Sequence, residues 1–218
     1  MNIFNKEYFP LHHFSHEVFV KCPKCSGFGK VTTLKDGYYH EKDKSAKFNC
    51  FDCGYLTASQ KEWSGYYVGY IGLDYKGRAC ANCGSVFQKE FEKTKIPYQS
   101  GMAVCPVCRQ EREYEINWYR YRGESPTDPF FGLDLYFQKQ VKNGHLWVYN
   151  LEHLQYLREY INATVRKRER VGLYSMVARL PDFITSSKNK EAITKQLNMF
   201  EEQITKSCAG KEPKTKMV

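Results

Sequence analysis

Two stretches of the C-terminal half place apolar residues at helical spacing. Leu154, Leu157, Ile161 and Val165 make one stripe; Ile193, Leu197, Phe200 and Ile204 make another. Asn150 can cap a helix predicted to run to about Arg168, and Gly172 breaks the pattern beyond it. A second helix is predicted from near Ser187 to about Ile204, after a short segment with Met176, Val177 and Leu180 that stops at Pro181. Two antiparallel helices of this kind bury their stripes against each other and a hairpin. Leu133 to Val141 and Leu146 to Tyr149 supply that hairpin, flanking Lys142-Asn143-Gly144-His145, where Asn-Gly marks the turn.

The rest of the chain reads as short strands and turns. Val31-Thr32-Thr33-Leu34, Ala46-Lys47-Phe48-Asn49, Trp63 to Gly72 and Tyr114 to Arg122 are the strand candidates. In the last of these, extended backbone puts Trp118, Arg120 and Arg122 on one face and Tyr119 and Tyr121 on the other. Gly123 to Pro129 reads as a turn-rich linker, and 205–218, with Lys206, Lys211, Lys214 and Lys216, as a disordered basic tail. The first 21 residues are aromatic and carry His12, His13 and His16. His13 and His16 have a ligand-like spacing, but packing against the following segment is the expected role.

Eight of the nine cysteines change this picture. They form Cys22/Cys25, Cys50/Cys53, Cys80/Cys83 and Cys105/Cys108, a CxxC-x24-CxxC-x26-CxxC-x21-CxxC pattern. A pair at i and i+3 lets one tight turn aim two thiolates at one ion, and two turns complete a tetrahedral sulfur shell. Eight ligands make two closed sites, so two structural Zn2+ are expected. Sequential pairing, first pair with second and third with fourth, is preferred over crosswise pairing. Gly54 and Gly84, each directly after a second cysteine, suit a left-handed backbone that turns amides toward the sulfurs. Cys208 is expected to be an unpaired thiol in the polar tail.

The CPxC of Cys22 to Cys25 and the CxxCG of Cys50 to Gly54 and Cys80 to Gly84 resemble zinc-ribbon proteins over about residues 22 to 108. Cys22 to Gly29 also reads CxxCxGxG, which resembles the J-domain co-chaperone zinc domain, but the other three pairs lack its glycines. In the C-terminal half, Gly132-Leu133, Leu146-Trp147-Val148-Tyr149-Asn150, His153-Leu154, Arg179-Leu180-Pro181-Asp182-Phe183 and Lys188-Asn189-Lys190 resemble short, uncharacterised bacterial zinc-ribbon-containing proteins. That resemblance implies a bacterial or phage setting and no known activity.

The fold class expected is α+β: two small four-cysteine zinc ribbons of β-hairpin type followed by a β-hairpin and a helical C-terminal module. The segments are 1–56 (N-terminal segment and first ribbon), 57–112 (second ribbon), 113–150 (strand and hairpin), 151–204 (helical module) and the tail. Ribbon segments of roughly 50 residues cannot rely on a hydrophobic core, so metal removal is expected to unfold both.

Composition narrows the partners. Of 218 residues, 33 are Lys or Arg and 24 Asp or Glu, a net charge of +9, which favours a polyanion or an acidic protein face. No apolar run approaches a membrane span, and Met1 to Glu7 has no apolar signal character, so a cytoplasmic location is expected. Closed four-cysteine sites leave no position for water or substrate, and Walker-type, GxSxG and HExxH motifs are missing from the sequence. No enzyme activity and no small-molecule substrate are therefore expected.

The expected function is zinc-stabilised binding of DNA or RNA, mainly through backbone contacts, as an accessory factor in a bacterial system. The alternative is a zinc-ribbon protein–protein adaptor or scaffold subunit. Candidate nucleic-acid contacts are Trp118, Arg120 and Arg122; Arg166, Lys167 and Arg168; and Arg179, Lys188 and Lys190. Lys188 and Lys190 fall in the first turn of the last predicted helix, where the dipole disfavours cations. Together with Arg179, the hydroxyl of Ser186 or Ser187 and the free amides there, they form a candidate phosphate site.

Overall fold

The computed structural model describes residues 3–4, 8–58, 63–72, 77–121, 126–166 and 175–209. The protein is mixed α+β, built mostly of small antiparallel sheets and hairpins, with a long helix near the C-terminus and two groups of four cysteines. It divides into two compact units. Trp63–Glu124 is one, and Met1–Glu62 with Ser125–Val218 is the other. The second cysteine segment is thus inserted in a unit that the first segment and the C-terminal module build together.

In the larger unit, β1 (Ile3–Phe4) precedes a 3-10 turn at Leu11–His16. β2 (Glu17–Lys21), β3 (Phe28–Thr32), β4 (Lys47–Cys50) and β5 (Leu56–Thr57) pair in that order as an antiparallel sheet, with α1 (Tyr39–Ser45) between β3 and β4. The outer edge of β2 does not stay open. Phe19 N–H donates to Tyr149 O at 2.9 Å, Lys21 N–H to Asp134 O at 2.8 Å, and Tyr136 N–H to Phe19 O at 2.9 Å. These bonds satisfy an edge that would otherwise invite other strands, and they fasten the first cysteine segment to the C-terminal half.

The chain then forms the smaller unit. β6 (Tyr67–Ile71) is followed by a short hairpin of β7 (Arg78–Ala79) and β8 (Val86–Phe87). β9 (Lys89–Thr94), a hairpin of β10 (Ser100–Val104) and β11 (Glu111–Glu115), and β12 (Asn117–Arg120) complete it. β6 lies between β9 and β12 in a three-stranded antiparallel sheet. The run from Tyr114 to Arg122 is therefore not one strand. Ile116 N–H leaves the ladder to donate to Gln99 O at 3.1 Å, and the two halves enter different sheets.

Back in the larger unit, β13 (Gln138–Val141) and β14 (Gly144–Trp147) form the expected hairpin. Its two-residue turn is Lys142-Asn143, with Lys142 at φ 54°. Gly144 sits in the strand instead, where any Cβ would collide with the Phe183 ring. α2 (Leu151–Asn162) starts as expected, Asn150 Oδ1 accepting from His153 N–H at 2.8 Å. It ends six residues before Arg168, because Ala163 leaves the helix in extended backbone and the β-branched Val165 enters β15 (Val165–Arg166), which pairs in parallel with β1. Val165 thus belongs to a strand and not to the helical stripe. α3 (Asp182–Thr185), a 3-10 turn at Ser187–Asn189 and α4 (Lys190–Ala209) follow.

Ile193, Leu197, Phe200 and Ile204 of α4 are all buried, as their spacing requires. They join Leu154 and Leu157 of α2 and Val18, Val20 and Val31 of the first sheet in one core. Arg158 clamps the helices, with Nη1 2.8 Å from Glu201 Oε2 and Nη2 donating to Leu197 O at 3.3 Å. Residues 205–209, expected in the tail, continue α4 and put Cys208 on it, exposed; 210–218 lie outside the described residues.

Candidate metal centres and aromatic surface

The cysteines gather into two clusters that follow chain order, Cys22, Cys25, Cys50 and Cys53 in the larger unit and Cys80, Cys83, Cys105 and Cys108 in the smaller. Within each, all four Sγ atoms lie within 4.8 Å of one another. Between knuckles the sulfurs stand 3.6 and 3.8 Å apart in the first cluster and 3.7 and 3.8 Å in the second. Four sulfurs at about 2.3 Å from a central ion form a tetrahedron with edges of about 3.8 Å. The residues fit a four-coordinate ion, and the separations are far too long for disulfides.

One backbone pattern builds all four knuckles. The first cysteine's carbonyl accepts from the N–H four residues on, at 2.9 Å for Ser26, 3.1 Å for Gly54, 2.8 Å for Gly84 and 3.0 Å for Arg109. Its own N–H donates to the carbonyl five residues on, at Gly27, Tyr55, Ser85 and Gln110. The residue after each second cysteine is left-handed: Ser26 at φ 58°, Gly54 at 73°, Gly84 at 71° and Arg109 at 60°. The expectation for Gly54 and Gly84 holds, and it extends to two positions where the residue type gives no hint. Each first cysteine is buried, whereas Cys25, Cys53 and Cys83 are exposed and Cys108 is half-buried. Asp52 braces the first pair of knuckles, its Oδ2 accepting from Phe28 N–H at 2.7 Å.

Amides and neighbouring sulfurs pull the thiols apart in acidity. Ser85 Oγ, 3.3 Å from Cys105 Sγ, together with the N–H groups of Cys108 and Val107, lowers the Cys105 pKa to about 6. Burial raises Cys50, but the N–H groups of Cys53 and Asp52 outweigh it and bring Cys50 down to about 7. Cys25 gains a lowering contact from Gly27 N–H, yet burial and the sulfurs of Cys53, Cys50 and Cys22 drive it up to about 12. The clusters thus hold some thiolates near neutral pH and resist losing the last proton, so a dication is what stabilises four thiolates together.

The histidines considered as ligands have another role. His13 and His16 each stand 3.6 Å from Glu152, in the first turn of α2, and neither joins a metal-type cluster among the described residues.

The candidate nucleic-acid contacts scatter. Trp118 and Arg120 do share a face of β12, but that face is covered: Trp118 Nε1 donates to Tyr98 O at 2.6 Å, and the Arg120 guanidinium lies 5.0 Å over the Trp63 ring. Arg122, Lys167 and Arg168 lie outside the described residues, and of Arg166 only the backbone, in β15, is described. Lys188 is exposed in the 3-10 turn, whereas Lys190 Nζ lies 3.4 Å from Asn162 O at the end of α2, where it counters that helix's negative end. Arg179 lines a different depression from Lys190, so the two do not converge on one phosphate.

The opposite face of the three-stranded sheet carries what sequence reasoning passed over. Tyr119 stands opposite Val68, one side-chain alternation from Tyr70, and the Tyr70 and Tyr119 rings are 6.2 Å apart. Just beyond the strand, Lys93 Nζ sits 3.8 Å over the Tyr121 ring. The alternation of Tyr119 and Tyr121 along β12 was the available signal.

Comparison of the chain with protein-family models, with curated proteins and with solved structures finds no match. The class that the geometry defines is a protein with two four-cysteine centres compatible with zinc-ribbon-like sites. No helix among the described residues is long and apolar enough to cross a membrane.

Proposed function

We propose that each cysteine cluster holds one structural Zn2+ and that the protein binds single-stranded DNA or RNA on the tyrosine face of the smaller unit. The observation that carries this reading is the Tyr70–Tyr119 pair with Lys93 over Tyr121, rings and a cation side by side on a sheet surface. Unstacked bases lie on such rings whatever their sequence, at about 1–3 kcal/mol per base. Soft sulfur donors in a tetrahedron select zinc among abundant divalent ions. With four sulfurs on each ion no coordination site remains for a substrate, so the reading is of a binding protein and not an enzyme. The accessory role in a bacterial system belongs to this reading; the C-terminal resemblance implies only the bacterial or phage setting.

Charge distribution divides the work. Trp63–Glu124 carries nine Lys and Arg against seven Asp and Glu, leaving 24 against 17 in the larger unit. Stacking should therefore dominate on the smaller unit, and salt sensitivity should come from the larger. Fluorescence anisotropy with labelled single-stranded oligonucleotides across a salt series tests this. Tyr119→Ala should weaken binding about tenfold or more with little change in salt slope. Wild-type protein that fails to bind at low salt would overturn the reading.

One observation favours the adaptor instead. Val86, Val104 and Val107, close in sequence to the second cluster's cysteines, are 60%, 48% and 68% exposed, and exposed apolar side chains suit a protein partner. A partner released by Val107→Asp, with no nucleic acid bound, supports that reading.

A further inference from the structure

The larger unit carries an open cavity of about 590 Å³, and no cysteine is among the described residues that line it. Cavities of about 300–1,000 Å³ that are mainly apolar, with a few convergent polar groups, are the usual form of small-molecule sites. Leu157 of α2 and Ile184 of α3 supply apolar lining here, and Trp147 of β14 forms a flat wall.

Two buried polar side chains reach this cavity, and both are left with a proton to donate. His153 is 3% exposed, and its Nδ1 accepts from Tyr149 N–H at 3.1 Å. That bond fixes the tautomer: the proton sits on Nε2, which has no acceptor among the described residues. Burial keeps the ring neutral, lowering its pKa to about 3. Ser175, also 3% exposed, accepts from Ala178 N–H at 3.3 Å and likewise has no acceptor for its hydroxyl proton among the described residues. Neither atom is among the sealed, unpartnered polar atoms of the described residues, so both donors open on the cavity and are available to what enters it. At the rim stand His12, His145 and Arg179, all exposed, and no Asp or Glu is among the described residues that line the cavity. Burial, Lys42 and His13 lower the His12 pKa and keep that ring neutral, so donors at depth and the Arg179 guanidinium at the mouth are what suit a ligand that accepts hydrogen bonds and carries negative charge.

We infer that this cavity binds a small organic anion with a flat apolar body, placing an acceptor atom against His153 Nε2 and Ser175 Oγ and a phosphate or carboxylate at Arg179. Nucleoside monophosphates and aromatic carboxylates share this chemistry. Such a ligand goes beyond the expectation, drawn from the sequence, of no small-molecule substrate. Its site also uses none of the tyrosines proposed for nucleic acid, so either can fail alone.

Calorimetric titration of the full zinc-loaded chain with AMP, UMP, benzoate and indole-3-carboxylate tests it, with the His153 Nε2–H resonance followed by NMR. Saturable binding by a nucleotide or by a carboxylate, with that resonance shifting, is expected, and the probe that binds identifies the source of the anion. Ser175→Ala and Arg179→Gln should each weaken binding about tenfold, the equivalent of one hydrogen bond or ion contact, while leaving the melting temperature nearly unchanged. Absence of binding by all four probes at millimolar concentration, an unmoved Nε2–H resonance, or undiminished binding by both variants overturns the inference.

Discussion

Ser85 Oγ bridges the second metal cluster, 2.9 Å from Cys83 Sγ and 3.3 Å from Cys105 Sγ. The equivalent place in the first cluster is Gly27, which offers its carbonyl to Cys22 N–H as Ser85 does to Cys80 N–H but has no hydroxyl to reach a sulfur. The two centres therefore share ligands and differ in their supporting hydrogen bonds. Outer groups of this kind are typically worth about 10–100-fold in metal affinity. Ser85→Ala should weaken the second site about tenfold and leave the first unchanged, resolved as one shifted step in a two-step chelator titration.

The left-handed residues predict stability changes of opposite sign. A Cβ at Gly54 or Gly84 would meet nothing within 4 Å, so Ala there tests backbone strain alone. Each should cost about 1 kcal/mol in denaturant unfolding. Arg109→Gly, removing a side chain from φ 60°, should be neutral or slightly stabilising.

Metal removal should affect the two units unequally. Buried residues of the smaller unit's core are Ile71, Cys80, Phe87, Ala103, Cys105 and Tyr114, and two of them are ligands. The first cluster is attached to the large core that runs through β2, α2 and α4. Chelation should unfold the smaller unit and only loosen the β3–β4 region of the larger, in place of unfolding both cysteine segments. Amide exchange checks this: Leu154 and Leu197 should stay protected while Ile71 and Ala103 lose protection.

Asn150 ties α2 to the N-terminal segment. Its Oδ1 caps the helix, and its Nδ2 donates to Phe14 O at 2.8 Å and Glu17 O at 2.7 Å. Asn150→Ala removes the cap and leaves two acceptors unpaired, a loss of about 3 kcal/mol. Asn150→Asp keeps the cap and should recover only part of it, as thermal melts will register.

Burial lowers the His153 pKa to about 3 from an ordinary 6.5. The unfolded chain takes up a proton below 6.5 that the folded ring refuses, so folding stability is full above pH 6.5 and falls as pH drops toward 3. The slope approaches about 1.4 kcal/mol per pH unit. His153→Gln should flatten the wild-type difference between pH 6.5 and 4 in matched denaturant titrations, where acid release of metal affects both proteins alike.

Local chemistry was legible where one residue type dictates one geometry. CxxC spacing gave both clusters and their order, Asn150 gave the start of α2, and the Ile193–Ile204 stripe gave the buried face of α4. Context decided the rest. The Asn-Gly turn is shifted because Gly144 is needed beneath Phe183. Gly123 to Pro129 read as a linker, yet Asp128 is fully buried and accepts from Phe130, Phe131 and Leu133 N–H groups, folding a tight turn into the core. Trp118 and Arg120 had the composition of a binding edge, but the partners that cover them, Tyr98 and Trp63, are distant in sequence. His153 entered only as part of the C-terminal resemblance, because only the fold shows that its ring lines a cavity.

The alternation of buried first cysteines with exposed second ones would give a bound ion a direction of travel. On their inner side Cys22, Cys50, Cys80 and Cys105 are walled by protein, while Cys25, Cys53 and Cys83 face solvent. Exchange of a bound ion would begin outside, by loss of an outer sulfur to a chelator, an alkylating agent or a competing soft metal. The inner pair would then keep a bound ion until a replacement arrives, and handover at the surface would not need the knuckle to open.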